Sequence, residues 1–463
     1  MILNYFEESV IQNDDLPQSW KQEDALVELE AFLQDNWNLR SVYYDDNKPE
    51  KKQQFVSFLS HKAIRTNQYI GTIMFNGEQI NIFPKMFCVN KGIQEEAELD
   101  PKHLMKNLIR WLEYCSRSSY PFINISTDFD EEDSLKELFI TLYVSYVKNA
   151  IERGAYYQYI DESSDIAYIK GRFDVCDYFL KKLPNGKADH FRCTYSKFEF
   201  DNDVNRIIKH TCRLIYPITS PKNQQKINNI LTRLSEVSDV KCIPSDCDKI
   251  RLNKTHNNFR IIISMSKLFL QNESIGLNFD FNETFCFLFP TDLLFEGFIG
   301  GFIHEVVKEH KGKTYIQKSD MYLIEELEFE GRAHGKAFKM KHDIMVEYQG
   351  GTYILDTKYK AISRFEHYHS KIKDLITNEV EQGDIYQVCE YARKSDISDV
   401  FLLFPMYRYE EEEPNYPIGI SQGASGDIRV HFIRLPFIFE ADEDKTRKML
   451  KGIIEEALGL CEE

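Results

Sequence analysis

Nothing in this chain is apolar for long enough to cross a bilayer. The longest apolar runs, such as Val400 to Met406, fall far short of the ~20 residues a spanning helix needs, so no membrane segment is expected. Met1 to Val10 carries Glu7 and Glu8 and lacks a basic stretch followed by an apolar one, so no secretory leader is expected either. The ten cysteines contain no C-x-x-C pair, and the closest two, Cys242 and Cys247, are spaced poorly for a zinc knuckle. They read as reduced, mostly buried thiols of a cytoplasmic protein. No G-x-x-x-x-G-K-[ST] loop occurs, so nucleotide hydrolysis would have to come from elsewhere. A G-x-S-x-G elbow and a Cys/His pairing are missing too, which argues against covalent catalysis. His304-Glu305 opens a zinc-protease-like pattern, but Lys308 stands where the second histidine would be. Positive charge is outnumbered as well, 57 Lys and Arg standing against 74 Asp and Glu. A net charge of −17 is awkward for a protein that grips DNA alone, because phosphate neutralisation supplies most non-specific affinity.

What is present describes a globular chain: 43% hydrophobic and 28% charged residues over a length of 463 suit two or three domains. The pattern is multi-domain α+β. Residues 1–125 read as β-rich: Tyr69 to Phe75 and Gln79 to Phe83 flank Asn76-Gly77, a strong hairpin signal. A charged loop at 45–52 and a helix through Leu104, Leu108, Ile109 and Leu112 complete this region. Residues 126–285 read as mostly helical. Ser134 and Glu137 have capping-box spacing before a helical run that Gly154 stops, and another helix starts near Val204. Residues 286–463 read as mixed α/β. A helix at 293–310 precedes strands near 342–349 and 352–358, a helix near 384–394, strands at 400–404 and 428–432, and a C-terminal helix. Gly297, Gly300 and Gly301 within the first of these helices indicate close helix packing.

The stretch that carries chemistry runs from His342 to Lys358. It reads as two strands joined by a Gly350-Gly351 turn, a register that sets Asp343 opposite Lys358. Alternation along a strand places Asp356 and Lys358 on one face, and Asp343 joins them there. Two carboxylates and an ammonium in one place suit metal-assisted phosphodiester hydrolysis. Mg2+ takes one or two carboxylates plus water and substrate phosphate, and a lysine can orient the attacking water and offset developing charge. An isolated Asp-x-Lys is more often a cross-strand ion pair. Here it is accompanied by the upstream Asp343, by Gln387 and Tyr391 on one face of a helix, and by Glu296 as a candidate third acid. Between Gly331 and Lys373 there are also nine Lys or Arg against four acids, which points to a phosphate-contacting strip. His367 and His369 are assigned to a polar loop beside it.

These residues resemble the PD-(D/E)xK nucleases of the RecB-like branch, whose D…D-x-K is followed by Q-x-x-x-Y. Asp343, Asp356-Thr357-Lys358 and Gln387 to Tyr391 match that pattern, with His342 where the motif's proline usually stands. The likeness extends to the McrC family, the nuclease subunit of McrBC-type 5-methylcytosine restriction systems. Gly71-Thr72-Ile73 through Ile82-Phe83-Pro84-Lys85, Gly171-Arg172-Phe173-Asp174, Asp201 to Arg206, Asp384 to Gln387 and Leu403-Phe404-Pro405 resemble its motifs, in order. The resemblance implies a restriction-endonuclease-like core at 286–463 with Asp343, Asp356, Lys358, Gln387 and Tyr391 as catalytic residues. Asp343, Asp356 and Glu296 would hold Mg2+, or alternatively Mn2+. It further implies that residues 1–125 dock on a McrB-like AAA+ GTPase ring and stimulate it, while the chain cuts double-stranded DNA. Two alternatives stay open: a catalytically silent activator of the GTPase, and a standalone RecB-like nuclease.

Overall fold

The computed structural model describes residues 2–22, 24–38, 51–59, 62–88, 100–115, 135–252, 259, 262–263, 265–267, 269–270, 285–317, 321–329, 332–363, 372–408, 416–421, 427–440 and 442–460. Most of the charged loop at 45–52, together with Ser134, Arg364, Glu366, His367, His369 and Lys371, lies outside the described residues. The chain forms two compact units. One combines Met1–Leu135 with Phe285–Glu463, and the other is Lys136–Thr284. The first and last of the three segments seen along the sequence therefore share one unit.

The link between them is a strand. Phe285–Pro290 pairs antiparallel with Tyr69–Phe75, completing a four-stranded sheet that also holds Glu78–Phe83 and, parallel to it, Ile2–Phe6. Asn76 and Gly77, both at positive φ, make the tight turn of its hairpin. Gly71 sits opposite Leu288 at φ +135, and a Cβ there would lie 2.0 Å from the Phe287 carbonyl oxygen. That close approach of the paired strand explains the glycine of the first motif.

From Pro290 the chain enters the helix Thr291–Glu309 and then a six-stranded mixed sheet. Its order is Lys313–Ile316, Ile344–Tyr348, Gly351–Thr357, Asp399–Met406, Asp427–Pro436, Tyr416–Ser421. The three strands beginning at 351, 399 and 427 run parallel. A parallel pair needs a crossover, and the helix Gln382–Ser395 supplies one between Thr357 and Asp399. A strand covered on both faces reads as an unbroken apolar run, and Val400 to Met406 are all buried. Val388, Cys389 and Ala392 of the crossover helix pack with Ile354, Val400, Leu402 and Val430 of the sheet.

The second unit joins the helix Leu135–Arg153 and the helices Asp203–Ile215 and Pro221–Arg233 to a long antiparallel pair, Gln158–Ile166 with Phe191–Glu199. Glu137, whose expected capping-box partner Ser134 lies outside the described residues, reaches another helix. Its carboxylate accepts from Thr219 Oγ1 (2.7 Å), Ser220 N (2.9 Å) and Asn223 Nδ2 (2.8 Å) at the start of Pro221–Arg233. Those hydrogen bonds outweigh its burial and hold its pKa below the usual value. Nine cysteines are described, none in a disulfide, and only Cys176 of them is exposed. Among the described residues no helix is long and apolar enough to cross a membrane.

Two of the three glycines of Thr291–Glu309, Gly297 and Gly301, meet the end of the helix Pro101–Tyr114, while Gly300 instead faces Ile316 and Ile344 of the six-stranded sheet. A Cβ on Gly301 would lie 1.6 Å from the Tyr114 carbonyl oxygen, and one on Gly297 would lie 2.8 Å from Cys115 Sγ. Gly301→Ala is therefore expected to lower stability by about 1–3 kcal/mol through forced separation of the helices. Gly452→Ala, in a helix with open space around it, should raise stability by about 0.5–1 kcal/mol. Denaturant melts of the two variants check this; equal shifts would remove the packing explanation.

Candidate active site

The site starts from a turn. A two-residue hairpin turn favours positive φ at both central positions, and here those are Gln349 at φ 45 and Gly350 at φ 81. Gly351 belongs to the strand, so Tyr348 pairs with Gly351 and Ile344 with Leu355. The sequence alone suggests Gly350-Gly351 as the loop; the actual turn lies one residue earlier. Continuing the observed register by one pair sets Asp343 opposite Asp356 instead of Lys358. This register brings the two carboxylates together, and Asp343 reaches across the hairpin end. Its Oδ2 accepts from Thr357 N (2.9 Å) and Thr357 Oγ1 (3.0 Å).

Asp356 is 1% exposed. Lys358 Nζ lies 2.7 Å from its Oδ2, while its Oδ1 has no hydrogen-bond partner among the described residues. Burial chiefly, then the neighbouring charge of Asp343, push its pKa up to about 7; Lys358 works against this and Asp384 adds to it. Burial pulls the Lys358 ammonium the other way, but Asp356, Asp384 and Asp343 together hold its pKa above the usual value.

A relay of side chains fixes Lys358 from the crossover helix. Its Nζ donates to Gln387 Oε1 (3.1 Å) and lies 3.5 Å from Asp384 Oδ1. Gln387 Nε2 donates to Tyr391 OH (2.8 Å), which donates to the Lys341 carbonyl (2.9 Å) two residues before Asp343. The relay thus leaves the second strand, crosses the helix and returns to the start of the first. His342 is buried edge-on against Tyr391, with ring centroids 4.5 Å apart.

Asp343, Asp356, Lys358, Gln387 and Tyr391 are therefore together. Glu296 is connected at one remove: it accepts from Gln317 Nε2 (3.0 Å), whose backbone N–H donates to the Asp343 carbonyl (2.8 Å). Among the described residues no three His, Cys, Asp or Glu side chains converge as a metal cage. Sequence reasoning missed Asp384, which binds Lys360 Nζ (3.0 Å) as well as facing Lys358. Its spacing, three residues before Gln387, was the available signal. The basic strip is also more balanced than its window suggested. The short strands between 322 and 339 form a ribbon whose acidic first arm precedes that window, and Lys336 is paired with Glu325 (2.8 Å). Glu305 of the H-E-x-x-K stretch forms an ion pair with Arg447.

A family model described as McrBC 5-methylcytosine restriction system component matches residues 64–405. No curated protein matches the chain. Among solved structures, a chain of the refined half-complex from the tetradecameric assembly of Thermococcus gammatolerans McrB AAA+ hexamers with bound McrC is similar. It shares 13% identity at a TM-score of 0.59, covering 98% of this chain and 99% of that one. A chain of the cryo-EM structure of the Thermococcus gammatolerans McrBC complex shares 16% identity over 68% of this chain and 90% of its own, at a TM-score of 0.46.

The pKa of Asp356 yields a test of its burial. A carboxyl whose pKa is raised on folding favours the folded state while protonated in both states, below about pH 4, and this contribution is lost as pH rises through about 7. The unfolding free energy of the metal-free protein should fall across that window by an amount on the order of 2–4 kcal/mol attributable to this group. Asp356→Asn should remove that part of the slope. A difference between variant and wild type that does not change from pH 4 to pH 8 would refute it.

Proposed function

The chain belongs to the family of McrBC 5-methylcytosine restriction system components, and from that premise we propose that it is the DNA-cutting subunit of a GTP-driven restriction complex. The observation that carries this reading is the meeting of Asp343, Asp356 and Lys358 at the end of one hairpin, braced by Gln387 and Tyr391. Two antiparallel strands, a crossover helix and a parallel strand form a PD-(D/E)xK core, with the D…D-x-K at the strand ends and the Q-x-x-x-Y on the helix.

The donor set fits a divalent cation such as Mg2+ or Mn2+. Asp356 offers a buried carboxylate oxygen without a partner, and Asp343 is held beside it by Thr357. Hard oxygen ligands of this kind, completed by water and phosphate, are what Mg2+ takes. A bound cation would polarise the phosphoryl oxygen and supply an acidified water. The protein's own part is positional. Asp356 and Asp343 would hold the cation, and through it the place that the phosphate takes. Lys358, kept protonated by its acidic neighbours, stabilises the extra negative charge that develops on the phosphoryl oxygens. Gln387 shares the Lys358 ammonium with Asp356, and Tyr391 holds Gln387.

We further propose that double-stranded DNA is delivered by an AAA+ GTPase ring like that of the Thermococcus assembly, whose hexamers carry bound McrC. A net charge of −17 with a largely neutralised ribbon suits a subunit that is brought to DNA by a partner. A silent activator is the second reading, favoured by the lack of a three-ligand cage among the described residues.

Cleavage of a plasmid carrying 5-methylcytosine, in the presence of the GTPase partner, GTP and Mg2+, separates the two. Asp356→Ala should lower the cutting rate by at least about 10³-fold while leaving stimulation of the partner's GTPase intact, and EDTA should stop cutting by the wild type. Stimulation without cutting under Mg2+ or Mn2+ would select the activator instead.

A further inference from the structure

One buried carboxylate lies outside the machinery described so far. Glu7, at the end of Ile2–Phe6, is 1% exposed and receives three hydrogen bonds from three distant parts of the chain. Tyr359 OH donates to its Oε1 (2.6 Å), as does Lys85 N (2.9 Å), and Thr291 Oγ1 donates to its Oε2 (2.7 Å). Lys85 belongs to the Pro84-Lys85 motif of the N-terminal hairpin, Thr291 opens the helix Thr291–Glu309, and Tyr359 follows Lys358.

The backbone shows what that third contact does. Lys358 N donates to the Leu403 carbonyl (2.8 Å), which ends the strand pairing, and Lys360 N then donates to the Lys358 carbonyl (2.8 Å). The chain turns tightly about Tyr359. Lys358 and Lys360 on either side both face Asp384, at 3.5 and 3.0 Å, while Tyr359 points to Glu7. The Tyr359 ring is clamped between Phe295 and Phe437, with centroids 5.9 and 5.8 Å away, and Lys85 Nζ sits 5.1 Å from its centre. Rotation of this turn would swing both lysines, and the hydroxyl held by Glu7 is the polar restraint at the far end of the lever.

We infer that Glu7 is a positioning residue for the cutting centre, holding Lys358 in place through Tyr359, so that the N-terminal sheet is a structural part of the active site. This rests on the nuclease reading above. Burial pushes the Glu7 pKa up to about 7 and the Tyr359 pKa well above its usual value, in keeping with a hydrogen bond that is shielded from water.

The test compares Tyr359→Phe, Glu7→Ala, Glu7→Gln and Thr291→Val in the full chain assembled with its GTPase partner. Tyr359→Phe and Glu7→Ala should each lower kcat for cleavage of 5-methylcytosine plasmid about ten- to a hundredfold at unchanged KM for DNA. Their double variant should be no worse than the more severe single one. Glu7→Gln keeps an acceptor for Tyr359 and should restore most of the rate, and Thr291→Val, which removes one of the three donors to Glu7 but leaves Tyr359 its acceptor, should fall between wild type and Glu7→Ala. A second readout needs neither metal nor DNA: a pulse of acetic anhydride followed by peptide mass spectrometry. Lys358 should acetylate several-fold faster in Tyr359→Phe than in wild type, at an unchanged melting temperature. Unchanged kcat or unchanged Lys358 labelling in Tyr359→Phe would overturn the inference, as would a joint fall of kcat, DNA affinity and melting temperature. If wild type cuts nothing, the nuclease reading has failed, and labelling of Lys358 alone decides the positioning claim. If Glu7→Ala does not fold, Tyr359→Phe carries the test.

Discussion

The centre of this protein depends on the register of a single hairpin. Side chains alternate along a strand, so the turn alone decides which residues of Ile344–Tyr348 face which residues of Gly351–Thr357. With Gln349 and Gly350 at positive φ, the ladder runs from Tyr348–Gly351 down to Ile344–Leu355. The next step brings Asp343 and Asp356 together just where the strands end. A slip of one residue would turn Asp356 into the opposite face of the sheet and its apolar neighbours outward. The apolar packing of Ile344, Ile354 and Leu355, each at most 2% exposed, therefore holds two acids in proximity that their charges oppose.

That opposition is visible in the surroundings of Asp356. Burial and a second carboxylate both disfavour its ionised form, and one lysine does not cancel them. The lysine is itself shared among Asp356, Asp384 and Gln387. A purely structural ion pair would put one cation on one anion and satisfy both. Here negative charge exceeds positive charge in a place with little water, leaving an oxygen that gains from any cation able to reach it. Such a pattern of perturbed, convergent groups is a functional signature more than a stabilising one.

How much of this was legible in the sequence follows from the range of the interactions. Elements with local causes were readable: the Asn76-Gly77 turn, the helix of Gln387 and Tyr391, and the fully apolar strand at Val400 to Met406. The presence of Asp343, Asp356 and Lys358 on one face was readable too, because alternation is local. Their pairing was not, since Gly350-Gly351 and Gln349-Gly350 both satisfy a hairpin, and only the packing of the flanking strands chooses. Asp384 was readable in principle from its spacing to Gln387, but an acid early in a helix is usually taken as dipole compensation. The roles of Glu7, Thr291 and Tyr359 were beyond reach: they are joined across hundreds of residues by a strand, Phe285–Pro290, that returns to the N-terminal sheet. The motif glycines were noticed as family marks, yet their causes are steric. Gly71 makes room for the close approach of the paired strand, and Gly171, at φ +69, would place a Cβ 2.5 Å from the Thr194 carbonyl oxygen.

The return of that strand also bears on how such a chain can be organised. Two modules joined by a linker would each be able to fold alone. Instead, Ile2–Phe6, Glu78–Phe83, Tyr69–Phe75 and Phe285–Pro290 form one sheet, and Pro290 leads without a break into the helix that carries Glu296. His103, Asn107 and Trp111 of the helix Pro101–Tyr114 hydrogen-bond to the carbonyls of Phe437 and Phe439, just past the last parallel strand. Each of these buried polar contacts would be lost if the N-terminal segment separated from the six-stranded sheet, and a buried group left without its partner costs about 1–3 kcal/mol. Separation is therefore opposed many times over. Any load on the N-terminal sheet would reach the sheet of Asp343 and Asp356 through packed structure, and a linker has no part in it.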